Sequence, residues 1–495
     1  MQSKYILALD QGTTGSTAII FDEDQKAIGK GYREIPQIYP QPGWVEHDPE
    51  DIFHLTIEAA KEAFKTARIQ PNHLAAIGIT NQRETTVIWD RKTSLPIANA
   101  IVWQCRRTSP TCDALRRKNL QRVIYNKTGL VIDPYFSATK IAWLLDHVPN
   151  ARNRAQKGEL AFGTMDSWLI WKLTDGKSHT TDYTNASRTL LFDIHEKKWS
   201  KDLCDIFNVP MEVIPNVLPS ASDFGITTAH HFGASIPICG VAGDQQASLF
   251  GHGATCAEKA KCTFGTGAFV LSFTDAPVNS KNGLLCTLSC NEKGRPAYAL
   301  EGSVFMAGAV VQWLRDGLAL IRNAQETENI ARSIPDSGGV LFVPAFVGLG
   351  APYWDSEARA AILGMTRGTQ KAHIVRAALE SIAFQVADLI EAMEGDMGIK
   401  LKELYVDGGA TSNGFLLQFL ADLIGIPVVR PSMTEMTSFG AARLAAIHCG
   451  LWKTKKTTAS ETLFEPKISN NMRATLRKNW GIAVSRVRSH LPLSD

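Results

Sequence analysis

The stretch that most constrains the fold is Tyr5–Asp22, in which an apolar run, a polar glycine-rich turn and a second apolar run follow one another. Two apolar runs separated by such a turn predict a tight β-hairpin. Gly12 and Gly15 tolerate positive φ, so backbone N–H groups in the turn can converge on an anion, and Thr13 and Thr14 add hydroxyl donors. The pattern predicts a phosphate-binding hairpin, although an ordinary hairpin with a Gly/Thr turn fits these residues equally well.

Asp10 ends the first apolar run of this stretch. A carboxylate beside bound phosphates repels them unless a cation such as Mg²⁺ lies between the two. Asp10 is therefore a candidate Mg²⁺ ligand. The chain contains no Walker pattern GxxxxGK[ST], which excludes the P-loop route to a nucleotide site.

The 495-residue chain is long enough for two or more domains with substantial cores. Hydrophobic residues make up 44% of it and the net charge is only +3, so composition gives no electrostatic reason to expect nucleic acid or an acidic membrane surface as a partner. The nine cysteines form no C-x-x-C pair, which fits a reducing compartment. No secretory signal precedes the first strand. We therefore predict a cytoplasmic protein with a small-molecule partner and no stable membrane insertion.

The run Lys261–Phe273 repeats the design of the opening stretch, with a Gly/Thr turn between two apolar strands. Two halves of similar plan follow from this repeat, and we predict domains at residues 1–250 and 251–495. A nucleotide would be held in the cleft between two such α/β domains. In the second half, Leu404–Gly425 predicts a strand, a glycine turn and a helix with Thr411 or Ser412 as its N-cap.

Arg83 and Glu84 follow the apolar run Leu74–Thr80, which the sequence predicts to be a buried strand. Ligands in open α/β sheets gather at the C-terminal ends of strands. The pair could therefore clamp a polyol by donating and accepting hydrogen bonds to neighbouring hydroxyls. An exposed ion pair is an equally good interpretation of these two residues.

Asp244 stands at the start of a short helical pattern in Gly240–Gly251. The positive end of the helix dipole favours an ionised carboxylate, which near a substrate hydroxyl could act as general base for phosphoryl transfer. From position alone, a simple helix N-cap is the more common role. Three aromatic residues could supply apolar faces to a carbon skeleton: Trp103, Tyr135 and Phe269. Single aromatic residues, however, more often lie in the core.

Many sequence blocks in one order, from about Tyr5 to Leu451, resemble the glycerol kinases of the FGGY carbohydrate kinase family. The most specific blocks are ALDQGTTGS, PGWVEHDP, GITNQRETT, AIVWQCRRT, TGLVIDPYFSATK, TDYTNASRTLLF, GVAGDQQASLFG, FGTGAF, ALEGSVFMAGAVVQWLRD, GLGAPYWD and DGGATSNGFLLQ. Any one of them alone would be a weak signal, whereas together they leave little room for chance. The nucleotide-binding core of this family resembles that of actin, hexokinase and the heat-shock chaperone ATPases.

The resemblance implies a role for individual residues of this sequence. Those expected to contact glycerol, through hydrogen bonds or through packing against its carbons, are Arg83, Glu84, Trp103, Tyr135, Asp244, Gln245 and Phe269. Those expected to contact ATP are Thr13, Thr14, Gly15, Thr266, Gly308, Gln312, Gly409 and Asn413. Those expected near Mg²⁺ are Asp10 and Asp244.

The resemblance also implies a fold and an activity. Each half would be a ribonuclease-H-like α/β domain of the actin-like ATPase type, and relatives form homodimers and homotetramers. The expected reaction is direct in-line transfer of the ATP γ-phosphate to a primary hydroxyl of glycerol, which yields sn-glycerol 3-phosphate. Asp244 would be the catalytic general base, and Mg²⁺ would accompany ATP as co-substrate.

The chain departs from its relatives at some positions. Where relatives often have Ser-Ser-Arg after the two threonines, this chain has Gly15-Ser16-Thr17, so its affinity for the nucleotide is an open question. The loop 229–236 lacks the Gly-Gly-x-Gly-Gly-Thr-Arg sequence of relatives that bind fructose 1,6-bisphosphate, which argues against that inhibition. His230 lies near the position of a phosphorylated histidine in some relatives, but its flanking residues differ. The sequence places no carboxylate or thiol at ligand spacing from His230 and His231, which argues against a metal site.

Two alternative functions stay open from the sequence. The nearest is a related kinase acting on another polyol or ketose, such as xylulose or erythritol. From a different class, the chain could be a nucleotide-driven switch resembling actin or a chaperone. Arg83, Glu84 and Asp244 would have no purpose in such a switch.

Overall fold

The computed structural model describes residues 4–355, 357–452 and 461–489. The strands within these ranges are β1 (Tyr5–Gln11), β2 (Gly15–Phe21), β3 (Ala27–Glu34), β4 (Glu46–His47), β5 (Leu74–Asn81), β6 (Val87–Asp90), β7 (Ala100–Ile101), β8 (Leu160–Gly163), β9 (Thr180–Asp182), β10 (Phe192–Asp193), β11 (Lys198–Trp199), β12 (Asn216–Leu218), β13 (Ile238–Gly243), β14 (Lys259–Phe264), β15 (Ala268–Thr274), β16 (Leu285–Cys290), β17 (Pro296–Val304), β18 (Leu341–Val343), β19 (Ala361–Leu363), β20 (Glu403–Asp407), β21 (Val428–Pro431) and β22 (Glu461–Phe464).

The helices of the described residues are α1 (Pro49–Ala67), α2 (Ser109–Arg117), α3 (Gln121–Thr128), α4 (Ser137–His147), α5 (Ala151–Gln156), α6 (Met165–Leu173), α7 (Tyr183–Ala186), α8 (Lys201–Phe207), α9 (Ala229–Phe232), α10 (Asp244–Gly251), α11 (Gly308–Asp316), α12 (Glu326–Arg332), α13 (Lys371–Met397), α14 (Gly414–Ile424), α15 (Met436–His448) and α16 (Asn470–Ser485). Short 3₁₀ turns lie at Pro71–His73, Met211–Val213 and Gly409–Ser412. In the described part of the chain, no helix has both the length and the apolar character that crossing a membrane requires.

The chain forms two compact units, and it enters the first of them three times. The first unit contains Met1–Thr255, Cys286–Ala299 and Met436–Thr457. The second unit contains Cys256–Leu285, Leu300–Glu435 and Thr458–Asp495. A late segment that carries α15 therefore belongs with the N-terminal part of the chain.

The first unit is built on a five-stranded sheet with the order β13-β5-β1-β2-β3. β1 and β2 form an antiparallel hairpin, as the opening stretch predicts, with Leu9 opposite Ala18. β5 runs parallel to β1, and β13 runs parallel to β5. Gln11 pairs with Asn81, and Asn81 pairs with Gly243, so the carboxyl ends of these three strands meet at one edge of the sheet. Such an edge is where α/β sheets bind ligands.

Helix α1 covers one face of this sheet, and its start follows from its sequence. Asp48 is the N-cap, and its Oδ1 accepts hydrogen bonds from the backbone N–H groups of Glu50 (2.8 Å) and Asp51 (3.4 Å). Pro49 occupies the first turn, where its missing N–H costs nothing. Apolar side chains of the helix, including Phe53, pack into the buried core that the sheet provides. This confirms the helix start that the sequence predicts.

Helix α15 packs against α10, β5 and β13 of the first unit at a separation that only glycine permits. A Cβ atom on Gly440 would lie 1.9 Å from the carbonyl oxygen of Ala247 on α10. A Cβ on Gly78 of β5 would lie 2.2 Å from the carbonyl oxygen of Ala441. Both distances are far below any normal contact, so the backbones touch because these positions carry no side chain. α15 therefore supports β5 and α10, the two elements that lead into the candidate site.

Within the second unit, neighbouring strands run in the order β15-β14-β20-β21-β22. β14 and β15 form an antiparallel hairpin with Phe264 opposite Ala268, which confirms the second predicted hairpin. β14 runs parallel to β20, with Thr263 opposite Asp407. The long helix α13 packs against α14. This unit repeats the use of a glycine turn at the end of a central strand.

Candidate active site

The turn after β5 places Arg83 and Glu84 at the carboxyl edge of the first sheet in a strained conformation. Glu84 has φ of 61°, in the left-handed region that non-glycine residues rarely adopt. The hydroxyls of Thr86 and Ser137 each donate a hydrogen bond of 3.0 Å to the carbonyl oxygen of Glu84. These bonds hold the turn, and strain of this kind is characteristic of functional sites.

Arg83 joins side chains from several elements into one group, which we call the Arg83 cluster: Arg83, Glu84, Tyr135, Asp244 and Gln246. Its guanidinium lies 3.3 Å from Oδ1 of Asp244 and 3.9 Å from Oε1 of Glu84. It also donates hydrogen bonds to Oε1 of Gln246 (3.3 Å) and to the hydroxyl of Tyr135 (3.4 Å). The Arg83 side chain is only 2% exposed. The pair Arg83 and Glu84 is buried, so the exposed ion pair that the sequence left open does not occur.

Asp244 is the first residue of α10, and Gly243 occupies the N-cap position. The N-cap role that the sequence favoured for Asp244 is therefore wrong. Its Oδ1 accepts a hydrogen bond of 2.7 Å from the backbone N–H of Gln245, and its Oδ2 accepts one of 3.2 Å from the Gln245 side chain. The Asp244 side chain is 30% exposed, whereas those of Arg83 and Glu84 are almost fully buried. Of the two carboxylates in the Arg83 cluster, that of Asp244 is the one that solvent or a substrate can reach.

Trp103 links the Arg83 cluster to the first glycine turn. Its ring packs edge-on against Tyr135, with 5.5 Å between the ring centroids. Its indole N–H donates a hydrogen bond of 2.9 Å to the hydroxyl of Thr13. Two residues expected to contact different substrates are thus in direct contact. Thr14 is exposed at the turn, whereas Gly15 is buried at the start of β2.

Asp10 lies near the end of β1, on the other side of β5 from β13. Its Oδ2 accepts a hydrogen bond of 3.0 Å from the hydroxyl of Ser438 on α15. Mg²⁺ prefers oxygen ligands and is usually held by one or two carboxylates together with phosphate oxygens and water. The carboxylates of Asp10 and Asp244, at the same sheet edge, fit that donor set.

The second unit contains a matching turn between β14 and β15. The N–H of Gly308, at the start of α11, donates to the carbonyl oxygen of Gly265 (3.0 Å), and the N–H groups of Ala307 and Ala309 donate to that of Thr266 (2.9 and 3.1 Å). A Cβ on Gly308 would lie 2.6 Å from the Gly265 oxygen, so this contact requires glycine. Thr266 is exposed on the turn, as is Gln312 one turn along α11.

Gly409 begins the 3₁₀ turn that follows β20, and Asn413 ends it. The sequence predicted Thr411 or Ser412 as the cap of α14, and this is wrong because Asn413 is the N-cap. Its Oδ1 accepts a hydrogen bond of 3.0 Å from the N–H of Leu416, and its amide donates to Thr327 (3.1 Å). Thr411 and Ser412 lie inside the extra 3₁₀ turn, which the glycine pattern did not reveal. Phe269, expected against glycerol, lies half-buried on β15.

Asp175, His230 and His231 form a group that sequence spacing did not reveal. Each histidine has a ring nitrogen 3.6 Å from an oxygen of the Asp175 carboxylate. The fold brings in this carboxylate from the loop after α6. The lack of a nearby carboxylate in the sequence is therefore no argument against a metal site. However, Nε2 of His231 also lies 3.0 Å from the carbonyl oxygen of Lys172 and is already engaged in that hydrogen bond. These contacts hold the group together, and they assign no metal to it.

Asp166 and Asp182 are buried acids in the first unit. Burial raises the pKa of Asp166 to about 7, and the nearby Asp182 carboxylate adds to this rise. Burial also raises the pKa of Asp182, which is held by Ser220, Thr184 and Asn185. Asn185 in turn exchanges two hydrogen bonds with Asn81 at the end of β5. A buried polar network therefore supports the strand that carries Arg83 and Glu84.

Asp166→Asn is expected to flatten the pH dependence of stability. An acid whose pKa is higher in the folded state binds more protons there, so folding stability falls as pH rises from about 4 toward 7. The neutral amide removes this contribution, and the difference in unfolding free energy between pH 5 and pH 8 should shrink by roughly 2–4 kcal/mol. Denaturant unfolding at several pH values measures the unfolding free energy and its pH dependence. The exposed Asp24→Asn is the control, and equal curves for both variants would contradict the prediction.

Family comparisons cover almost the whole chain. Residues 5–251 match the FGGY family of carbohydrate kinases, N-terminal domain, and residues 260–449 match its C-terminal domain. A glycerol kinase of Pseudothermotoga lettingae is 55% identical, over 98% of this chain and 99% of that protein. Glycerol kinase 2 of Thermotoga maritima is 54% identical, over 98% of each.

Solved structures show the same fold. The crystal structure of Plasmodium falciparum glycerol kinase with ADP covers 99% of this chain and 99% of its own, with a TM-score of 0.92 and 37% sequence identity. A ligand-bound xylulose kinase from Lactobacillus acidophilus covers 98% of this chain and 97% of its own, with a TM-score of 0.87 and 23% identity. The second likeness supports the two-domain α/β fold alone.

Proposed function

The chain belongs to the FGGY family of carbohydrate kinases, and from this premise we propose that it transfers the γ-phosphate of ATP to a primary hydroxyl of glycerol. The products are sn-glycerol 3-phosphate and ADP. Fold alone cannot choose the substrate, because kinases of glycerol and of xylulose share it. The observation that carries the choice is identity above one half, over nearly the full length, to proteins named glycerol kinase.

The Arg83 cluster supplies the groups that binding a triol requires. Arg83 donates hydrogen bonds and the Glu84 carboxylate accepts them, so together they can hold two neighbouring hydroxyls. Tyr135 and Trp103 present aromatic surface for the carbon skeleton. Gln245 and Phe269 complete the set of expected glycerol contacts. Buried polar groups of this kind reject an analogue that lacks a hydroxyl, because they would be left unpaired.

Asp244 is the proposed general base. Its carboxylate is both accessible and fixed by Gln245 and Arg83, as a group that accepts a proton from a bound hydroxyl must be. It takes the proton from the attacking hydroxyl as the oxygen bonds to the γ-phosphorus, and ADP leaves on the opposite side. No covalent enzyme intermediate is required.

The two glycine turns are the proposed phosphate-binding elements, with Thr13, Thr14 and Gly15 in the first unit and Thr266 in the second. The other residues of the second unit proposed to contact ATP are Gly308, Gln312, Gly409 and Asn413. Asp10 and Asp244 would hold Mg²⁺, which when bound neutralises phosphate charge. A cytoplasmic location stays a prediction from the sequence, and a homodimer or homotetramer stays a prediction from the family.

Comparing acceptors tests the substrate. ADP formation by the purified protein is measured with glycerol, dihydroxyacetone, D-xylulose and erythritol at equal concentrations. Glycerol should give the highest kcat/KM, by about tenfold or more over acceptors that lack one of its hydroxyl contacts. A higher kcat/KM for xylulose or erythritol would assign the chain to another branch of the family. ATP hydrolysis that no acceptor stimulates would favour a nucleotide-driven switch instead.

A further inference from the structure

Arg188 is a fully buried cation that sequence analysis did not single out, and it lies beside the Arg83 cluster. Its Nε donates a hydrogen bond of 2.6 Å to Oε1 of Glu84, and both side chains are almost without exposure. Its guanidinium also lies over the ring of Tyr135, 5.4 Å from the centroid. Arg188 thus contacts two of the residues proposed to bind glycerol.

The segment that carries Arg188 is held from both sides. The carbonyl oxygen of Thr189 accepts a hydrogen bond of 2.8 Å from the N–H of Ala138 on α4. The hydroxyl of Ser187 lies 2.9 Å from that of Thr287. The guanidinium therefore has a fixed position, which is what a group that orients another side chain needs.

Glu84 is surrounded by cations from three separate segments. Arg83 precedes it in the same turn, Arg188 lies in the segment after α7, and Lys140, which interacts electrostatically with Glu84, is buried on α4. Lys140 donates to the carbonyl oxygens of Tyr135 (2.5 Å) and Phe136 (3.1 Å). The other carboxylate nearby, that of Asp244, is paired with Arg83. Arg188 contacts the Glu84 carboxylate directly, through a hydrogen bond of 2.6 Å.

We propose that Arg188 is the positioning residue that orients Glu84 and Tyr135 for recognition of the glycerol hydroxyls. This inference rests on the proposed function. Two parallel constraints act on Glu84: its backbone is fixed by Thr86 and Ser137, and its carboxylate is fixed by Arg188. Buried charged hydrogen bonds are strong and directional, so the carboxylate points in one direction before substrate arrives.

Arg188→Met removes the cation while keeping most of the side-chain volume. The KM for glycerol is expected to rise about tenfold to a hundredfold, whereas the KM for ATP changes by less than about threefold. Without its partner, the buried Glu84 carboxylate is more easily protonated. As the pH is lowered from 8 to 6, the glycerol KM of the variant should therefore rise more steeply than that of the unaltered protein. A role confined to folding would not produce this pH dependence.

Arg107→Met is the matched control. Arg107 is also buried, and its Nη2 lies 2.6 Å from Oε1 of Glu46 in the same unit, but it touches neither Glu84 nor Tyr135. This variant should lose stability without a pH-dependent glycerol KM. Arg188→Lys, which keeps the charge, should recover part of the glycerol affinity and remains informative if Arg188→Met does not fold.

The outcomes separate this inference from the proposed function. If the unaltered protein phosphorylates glycerol and both Arg188 variants keep its glycerol KM at every pH, the positioning role is overturned. The positioning role is also overturned if Arg107→Met shows an equal, pH-dependent rise in the KM for glycerol. If the unaltered protein does not phosphorylate glycerol at all, the proposed function fails first.

Discussion

Replacing Asp244 by asparagine is expected to lower kcat by roughly two to four orders of magnitude. Asparagine has almost the same shape, and its side-chain oxygen can still accept the hydrogen bond from the N–H of Gln245. It cannot take a proton from the attacking hydroxyl, so the transfer step should suffer most. Asp10 still offers a carboxylate to Mg²⁺, so the KM for ATP and the affinity for ADP should change far less than kcat. Steady-state kinetics gives kcat and the KM for ATP, and calorimetry on the same preparation gives the affinity for ADP.

A matched control is Asp146→Asn, which also removes an aspartate paired with an arginine. Asp146 lies 2.6 Å from Arg152 on the surface of the first unit, away from the sheet edge. Its kcat should stay within about twofold of the unaltered protein, as expected for a surface ion pair. Turnover of Asp244→Asn close to that of the control would remove Asp244 from the mechanism.

Replacing Gly440 by alanine is expected to destabilise the first unit by overpacking. The new Cβ would lie 1.9 Å from the carbonyl oxygen of Ala247, a backbone atom of α10 that cannot rotate away. Overpacking of this kind costs about 2–4 kcal/mol. Activity should fall as well, because α10 begins with Asp244 and α15 carries the Ser438 hydroxyl bonded to Asp10. Urea unfolding followed by circular dichroism measures the stability change.

Gly481→Ala is the control for this prediction. Gly481 lies within α16 and has nothing within 4 Å of the position that a Cβ would occupy. Alanine is a better helix former than glycine by about 1 kcal/mol, so this substitution should be neutral or stabilising. If Gly440→Ala were equally well tolerated, the close packing of α15 on α10 would be disproved.

The features that sequence predicted well are local ones. Both hairpins, the buried strand before Arg83, and the Asp48 cap followed by Pro49 depend on residues a few positions apart. Their patterns of apolar residues, glycine and capping side chains act over that same short range. The cap of α14 was misassigned by one or two residues because a 3₁₀ turn precedes it, and glycine-rich turns do not specify their length.

The features that sequence missed depend on contacts between distant segments. Arg188 meets Glu84 across 104 positions of the chain, and Asp175 meets His230 only because the loop after α6 returns beside α9. The segment that carries α15 belongs to the first unit, although most residues of the second unit precede it in the sequence. One signal for Arg188 was present, since it is an arginine inside the otherwise uncharged run NASRTLLF. A charge in such a run is buried and paired, but its partner cannot be read from one sequence.

The most direct test of the central claim is to follow ATP and glycerol together in one reaction. The purified protein is incubated with ATP, Mg²⁺ and glycerol, ADP is measured, and the phosphorylated product is identified by ³¹P NMR and by stereospecific oxidation. One sn-glycerol 3-phosphate is expected for each ADP, and almost no ADP when glycerol is left out. Equal ADP formation with and without glycerol, or a phosphorylated product other than sn-glycerol 3-phosphate, would contradict it.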